Sequence, residues 1–124
     1  MYLVGSFDST GTLLNGANEY VIHFAKGQLP PAKYFWSLAV YDDNDHLVPN
    51  PINRYSIGNH TAGVKYNADG SLDIYVQTTA PAGHASNWIP TPASGQSEVF
   101  MRMYGPEPSA LAGTYVYPSI TKVG

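Results

Sequence analysis

Arg54 and Arg102 are two of only six basic residues in this 124-residue chain, and both stand inside strings of aromatic and polar residues. Arg54 belongs to Asn50-Pro51-Ile52-Asn53-Arg54-Tyr55-Ser56, and Arg102 to Val99-Phe100-Met101-Arg102-Met103-Tyr104. A guanidinium in such a setting needs a carboxylate or several carbonyls as partner. Together the two could clamp an anionic ligand. The structural alternative pairs Arg54 with Asp42 or Asp73 to fix a sheet edge, and it is the preferred reading.

Other residue types with reactive chemistry are present without the spacing that chemistry requires. The acidic run Asp42-Asp43-Asn44-Asp45 lacks the twelve-residue ligand pattern and closing glutamate of a calcium loop. It reads better as a hairpin turn stabilised by Asx bonding. His23, His46, His60 and His84 are scattered, so no metal site is expected, and no cofactor. His23 is either a satisfied sheet histidine or a lone general base. Ser37 and Ser56 are not framed by the Gly-x-Ser-x-Gly elbow of a serine hydrolase.

The aromatic residues offer the better lead. Trp36, Trp88, Tyr41, Tyr55, Tyr75 and Tyr104 are interleaved with Asn and Asp. Flat rings stack on sugar faces while amides and carboxylates bond hydroxyls, although large aromatics also fill sandwich cores. The expected site is a surface formed by the asparagine-proline loop, the Asn87-Trp88 loop and the strand carrying Arg102. There Asn50, Asn53 and Asn87 would hydrogen-bond, Trp88 and Tyr55 would stack, and Arg54 or Arg102 would neutralise charge.

The elements that must position these residues are strands. Twelve glycines and ten prolines punctuate the chain, and the segments between them alternate with period two. Residues 19–24 and 72–77 alternate apolar and polar, and residues 99–104 alternate as well. Residues 34–41 are apolar on both faces, as in a central strand. Shorter candidates are 55–57, 63–66 and 114–117. Helical turns are expected only near 12–14 and 107–111, where Pro106 and Pro108 suit an N-terminus. The 81–95 connection, with three prolines, reads as an ordered loop. Seven or eight short strands point to an all-β fold, an antiparallel jelly-roll-like β-sandwich with little helix, as one domain over 1–124.

Composition narrows the function classes. Charged residues are only 12% and apolar residues 44%, so disorder is not expected. A net charge of -3 leaves no basic stripe for nucleic acid. With no cysteine, disulfides and thiolate chemistry are absent. No apolar run approaches the ~20 residues of a membrane span. The start, Met1-Tyr2-Leu3-Val4-Gly5-Ser6, lacks the basic and apolar regions of a signal peptide, so a soluble chain is expected.

In order and spacing, the sequence resembles the domain of unknown function 1214 family. The likeness runs through Leu14-Asn15-Gly16-Ala17-Asn18-Glu19-Tyr20, His23-Phe24, Leu29-Pro30-Pro31 and the block from Phe35 to Asp42. It continues through Asn50-Pro51, Asn53-Arg54-Tyr55-Ser56, Asp69-Gly70-Ser71-Leu72, Asn87-Trp88-Ile89-Pro90 and Arg102-Met103-Tyr104, covering roughly residues 8–118. The resemblance implies a jelly-roll-like domain that is usually the C-terminal partner of domain of unknown function 1254. It transfers no catalytic residue.

The resulting expectation is a binding or assembly module for a carbohydrate or small polar ligand. One alternative is a glycoside-directed hydrolase whose site is completed by a partner domain or subunit, with Asp42, Asp73 or Glu98 as acid or base. The other is a purely structural oligomerisation module.

Overall fold

Where one face of a strand is buried and the other wetted, alternation in the sequence becomes alternation in space. Tyr20, Ile22 and Phe24 point inward from one strand and Leu72, Ile74 and Val76 from its neighbour. Their register sets Ile22 beside Ile74 and His23 beside Asp73. The computed structural model describes residues 2–44, 46–50, 52, 54–112, 115 and 118–123. Among these, eight strands follow in chain order: β1 (Tyr2–Gly5), β2 (Glu19–Phe24), β3 (Ala32–Asp42), β4 (Ser56–Gly58), β5 (Leu72–Gln77), β6 (Trp88–Pro90), β7 (Ser97–Pro106) and β8 (Ile120–Val123). A 3₁₀ turn, Ala85–Asn87, and one short helix, α1 (Pro108–Leu111), are the helical elements described.

The strands form two four-stranded sheets, ordered β1-β7-β3-β4 and β6-β5-β2-β8. Their inner faces meet in one apolar core that includes Trp36, Leu38 and Met103 from the first sheet and Phe24, Leu72 and Ile74 from the second. The chain is thus mainly β, with a sandwich-like pair of sheets. Glu19–Phe24 and Leu72–Gln77 are strands over the whole expected span. The expected central strand, 34–41, lies within β3, between β7 and β4.

Several expectations are corrected. The sheets are not wholly antiparallel, because β6 runs parallel to β5. That strand lies inside the 81–95 connection expected to be a loop. Pro90 is accommodated because β6 is an edge strand, where a missing N–H costs no ladder bond. Residues 12–14 form no helical turn. Asp8 accepts bonds from the amides of Thr10 and Thr12, and the Leu14 amide donates to Ser6, which holds this stretch as a loop. Residues 63–66 form no strand, since the Lys65 backbone is taken up by the Asn87 side chain. Of the 114–117 candidate, Thr114, Val116 and Tyr117 lie outside the described residues, and Tyr115 is buried at a bend.

Candidate functional site

Inward-pointing Val99, Met101 and Met103 of β7 force Phe100, Arg102 and Tyr104 onto the outer face of the first sheet. The same logic in β3 turns Phe35, Ser37, Ala39 and Tyr41 outward. Antiparallel register then sets Phe35 opposite Tyr104, Ser37 opposite Arg102 and Ala39 opposite Phe100. The result is two aromatic contacts with a cation between them. The Phe35 and Tyr104 rings stack at 4.2 Å, and Tyr41 meets Phe100 edge-on at 4.7 Å. Arg102 donates from Nη2 to the Tyr41 hydroxyl at 2.7 Å.

His60 extends this face, its ring 5.3 Å from Phe35. It follows β4, whose end is drawn close to β3. A Cβ at Gly58 would lie 2.0 Å from the Trp36 carbonyl oxygen, so only glycine permits the approach. The loop after β4 is pinned by the Trp36 amide donating to Asn59 Oδ1 and the Gly58 amide donating to Thr61 Oγ1. Between these elements lies a shallow groove of about 370 Å³. Phe35, Tyr104 and His60 give it flat faces, Ser37, Ser56 and Thr61 give it hydroxyls, and Arg102 gives it charge. Among the described residues, no carboxylate pairs with Arg102.

The other residues expected at a site are used differently. Asn50 closes its own loop: its amide donates to the carbonyls of Val48 and Arg54, and its oxygen accepts from the Arg54 amide. Arg54 pairs with neither Asp42 nor Asp73. Its Nη1 lies 2.9–3.2 Å from the carbonyls of Ala85, Ser86 and Trp88, so two N–H groups are shared among three acceptors. Asn87 is buried, accepting from the Lys65 amide and donating to the carbonyls of Lys65 and Asp73. Trp88 is 4% exposed and donates from Nε1 to the Gln77 carbonyl, so its ring offers no face to a ligand. The asparagine-proline and Asn87-Trp88 loops are therefore brought together as a structural lock. Arg102 stands apart from it, on the open sheet face. Tyr55 is exposed, and Asn53 lies outside the described residues.

Asp42, Asp73 and Glu98, the residues expected as acid or base, are held in different local settings. Asp42 caps its own turn, accepting from the amides of Asn44 and His46, and the His46 amide above all holds its carboxyl below the usual range. Asp45 of the same acidic run lies outside the described residues. Glu98, on β7, is opposite Tyr41. Asp73 is on the outer face of the second sheet, 2.5 Å from His23 Nδ1 and 3.0 Å from Asn67 Nδ2. Beside it, burial and then the Asp73 charge push the Tyr75 phenol up, and Tyr75 stacks on His84 at 4.7 Å. Among the described residues, no group of three or more His, Asp or Glu is placed to hold a metal ion. No helix among them is long and apolar enough to cross a membrane.

Sequence reasoning named Arg102 but not Ser37, Ser56, His60 or Thr61 as its companions. Outward alternation in β3 was a usable signal for Phe35 and Ser37. The arrival of His60 depends on a β3–β4 pairing that no local pattern announces.

Residues 1–108 match the family model described as "Protein of unknown function (DUF1214)". The chain is similar to the VPA0106 protein of Vibrio parahaemolyticus, with a TM-score of 0.85 and 33% identity over 99% of this chain and 30% of that one. An uncharacterised protein of Burkholderia cenocepacia shares the fold at a TM-score of 0.55 and 18% identity, over 98% of this chain and 28% of its own. The chain thus spans less than a third of each of these two structures. No curated protein matches it.

Proposed function

The chain belongs to the DUF1214 family, and from that premise we propose that it is a binding module whose outer-face groove on the first sheet takes an acidic carbohydrate or a similar small polar anion. The observation that carries this reading is Arg102, without a carboxylate partner among the described residues, beside the stacked Phe35 and Tyr104 rings. Sugar rings bind by stacking on aromatic faces, and a guanidinium forks onto a carboxylate. Ser37, Ser56 and Thr61 add hydroxyls at the same groove. The reading keeps Arg102 from the site expected on the sequence and moves the binding surface away from the Asn87-Trp88 loop.

Titration with glucuronate and with glucose, followed by amide resonances, tests the proposal. Glucuronate should shift the signals of Phe35, Ser37, His60 and Tyr104. Arg102→Gln should weaken it about tenfold, the order expected for losing one charge-assisted contact, with little effect on glucose. Unmoved resonances with both sugars and with small dicarboxylates would overturn it.

A second reading has one observation in its favour. Because the matched structures are more than three times as long, the same aromatic face suits a companion domain, such as domain of unknown function 1254, or another copy of this chain. Sedimentation that depends on concentration, and is abolished by Tyr104→Ser, would favour another copy. The two four-stranded sheets also support a jelly-roll reading of the topology, from which the parallel β5–β6 pair departs.

A further inference from the structure

The two sheets do not close equally along their sides. On one side β1 and β8 are the outermost strands of their sheets, and they share no ladder. Between them lies a cavity of about 190 Å³. Leu3, Leu38, Val99 and Met101 line it from the first sheet and Ile22 and Ile120 from the second. Val4, which is exposed, and Pro118 also line it, so this is a slot half open to solvent whose inner walls are core side chains. We propose that the slot is a binding site for a small neutral apolar molecule, about the size of a benzene ring. This goes beyond the carbohydrate reading, which concerns the outer face and a charged, polar ligand.

Three features carry the inference. The first is volume. Protein interiors pack to crystal-like density with few voids larger than a water, and an apolar cavity of about 150 Å³ already has room for benzene. The second is chemistry. An ordered water needs two to four polar partners, and every described residue lining the slot is apolar, so hydrocarbon is the better occupant of its inner end. The third is Gly5, where the absence of a side chain sets the width of the slot. A Cβ there would come within 2.9 Å of Ile120 Cδ1. Entry between two edge strands that are not paired with each other breaks no ladder.

Methyl-resolved carbon–proton spectra of the 124-residue chain with benzene and with phenol test the site. Benzene should shift the methyls of Leu3, Ile22, Leu38, Val99 and Ile120 saturably, leave Leu72 unmoved and raise Tm. Phenol should bind more weakly, because its hydroxyl finds no partner. Val99→Phe should fill the slot and abolish the shifts. If that variant does not fold, Gly5→Ala supplies the second test: one added methyl should weaken benzene about fourfold, the order of one methylene of burial. Absence of saturable shifts in the unaltered chain overturns the proposal, as do shifts that survive unchanged in a folded plug variant. Phenol binding as tight as benzene, or occupation of the slot by a second copy of the chain, also overturns it.

Discussion

The two lateral sides of the sandwich are built on opposite principles. Where β4 and β6 close it, the contacts are polar and directed. Arg54 reaches three carbonyls, Asn87 ties the Lys65 backbone to Asp73, and Trp88 Nε1 donates to Gln77. Where β1 and β8 face one another, the lining is apolar and leaves a cavity. Hydrogen bonds fix distance and angle, whereas apolar contact fixes only exclusion of water. The first side therefore specifies one arrangement, and the second tolerates an occupant. Among the described residues, no buried side-chain nitrogen or oxygen lacks a partner, so the polar side is fully satisfied.

That satisfaction is also where the molecule is easiest to damage. Arg54→Ala should cost about 2–4 kcal/mol, because it strands carbonyls on the 85–88 segment as well as losing the bonds themselves. Denaturant unfolding checks this. Arg54→Lys should recover part of the loss, since an ammonium keeps the charge but not the fork. Asn87→Asp sharpens the point with almost no change of shape. Its carboxylate would face the carbonyls of Lys65 and Asp73, to which the native amide donates. Repulsion there raises the folded-state pKa of the new carboxyl above its unfolded value. The variant should be destabilised at pH 7 and regain stability as acidification protonates that group. A loss below about 0.5 kcal/mol for either arginine substitution, the range of ordinary surface changes, would break the contrast between the two sides.

How much of this was legible in the sequence follows from the same contrast. β2 and β5 were readable to the residue because apolar inward positions alternate with more polar ones, and β3 was readable over 34–41 because both its faces are apolar there, though it runs on to Ala32 and Asp42. β8 buries only Ile120 of its four residues, so no period marks it. β6 is three residues long and ends in Pro90, within a stretch whose prolines signal a loop. The sequence showed that Arg54 needed either a carboxylate or carbonyls. The choice was settled by a fold contact more than thirty residues away in the chain. Arg102 was readable as outward-facing from its neighbours Met101 and Met103, but its groove draws on three strands and the loop after β4. The slot could not be read at all, since a void is a property of packing and has no residue of its own.

A smaller effect is expected at the loop that joins β1 to the other sheet. Asp8 holds it, and the Ser9 amide donates to the Ile120 carbonyl in β8. The Thr10 hydroxyl, then the amides of Thr12 and Thr10, keep the Asp8 carboxyl below its ordinary value of 3.8. A lowered folded-state pKa gives stability that is fully present above the unfolded value and is lost as pH falls through the folded one. Acidification below about pH 4 should therefore loosen this loop and speed hydrogen exchange at β8. The amides of β5 and β6 should stay protected. Asp8→Ala should reproduce the effect at neutral pH. Equal loss of protection on both sides would show that the apolar side is not an independent unit.

The smallest effect is the most discriminating, because the same substitution is made on both sides. Val99 lines the slot, whereas Val76 is fully buried beside Ile89 of β6 and lines no pocket among those described. Val99→Ile adds one methylene to space already open, so it should stabilise by up to about 0.8 kcal/mol, the transfer value of that group. Val76→Ile adds the same methylene at a buried position away from the slot, and should cost about 1 kcal/mol or more through overpacking. Thermal unfolding resolves a difference of that size, and its sign matters more than its magnitude. If both substitutions destabilise, the slot closes in solution and the two sides are packed alike. Opposite signs mean that the apolar side holds real free volume, and benzene should then bind less tightly to Val99→Ile than to the unaltered chain.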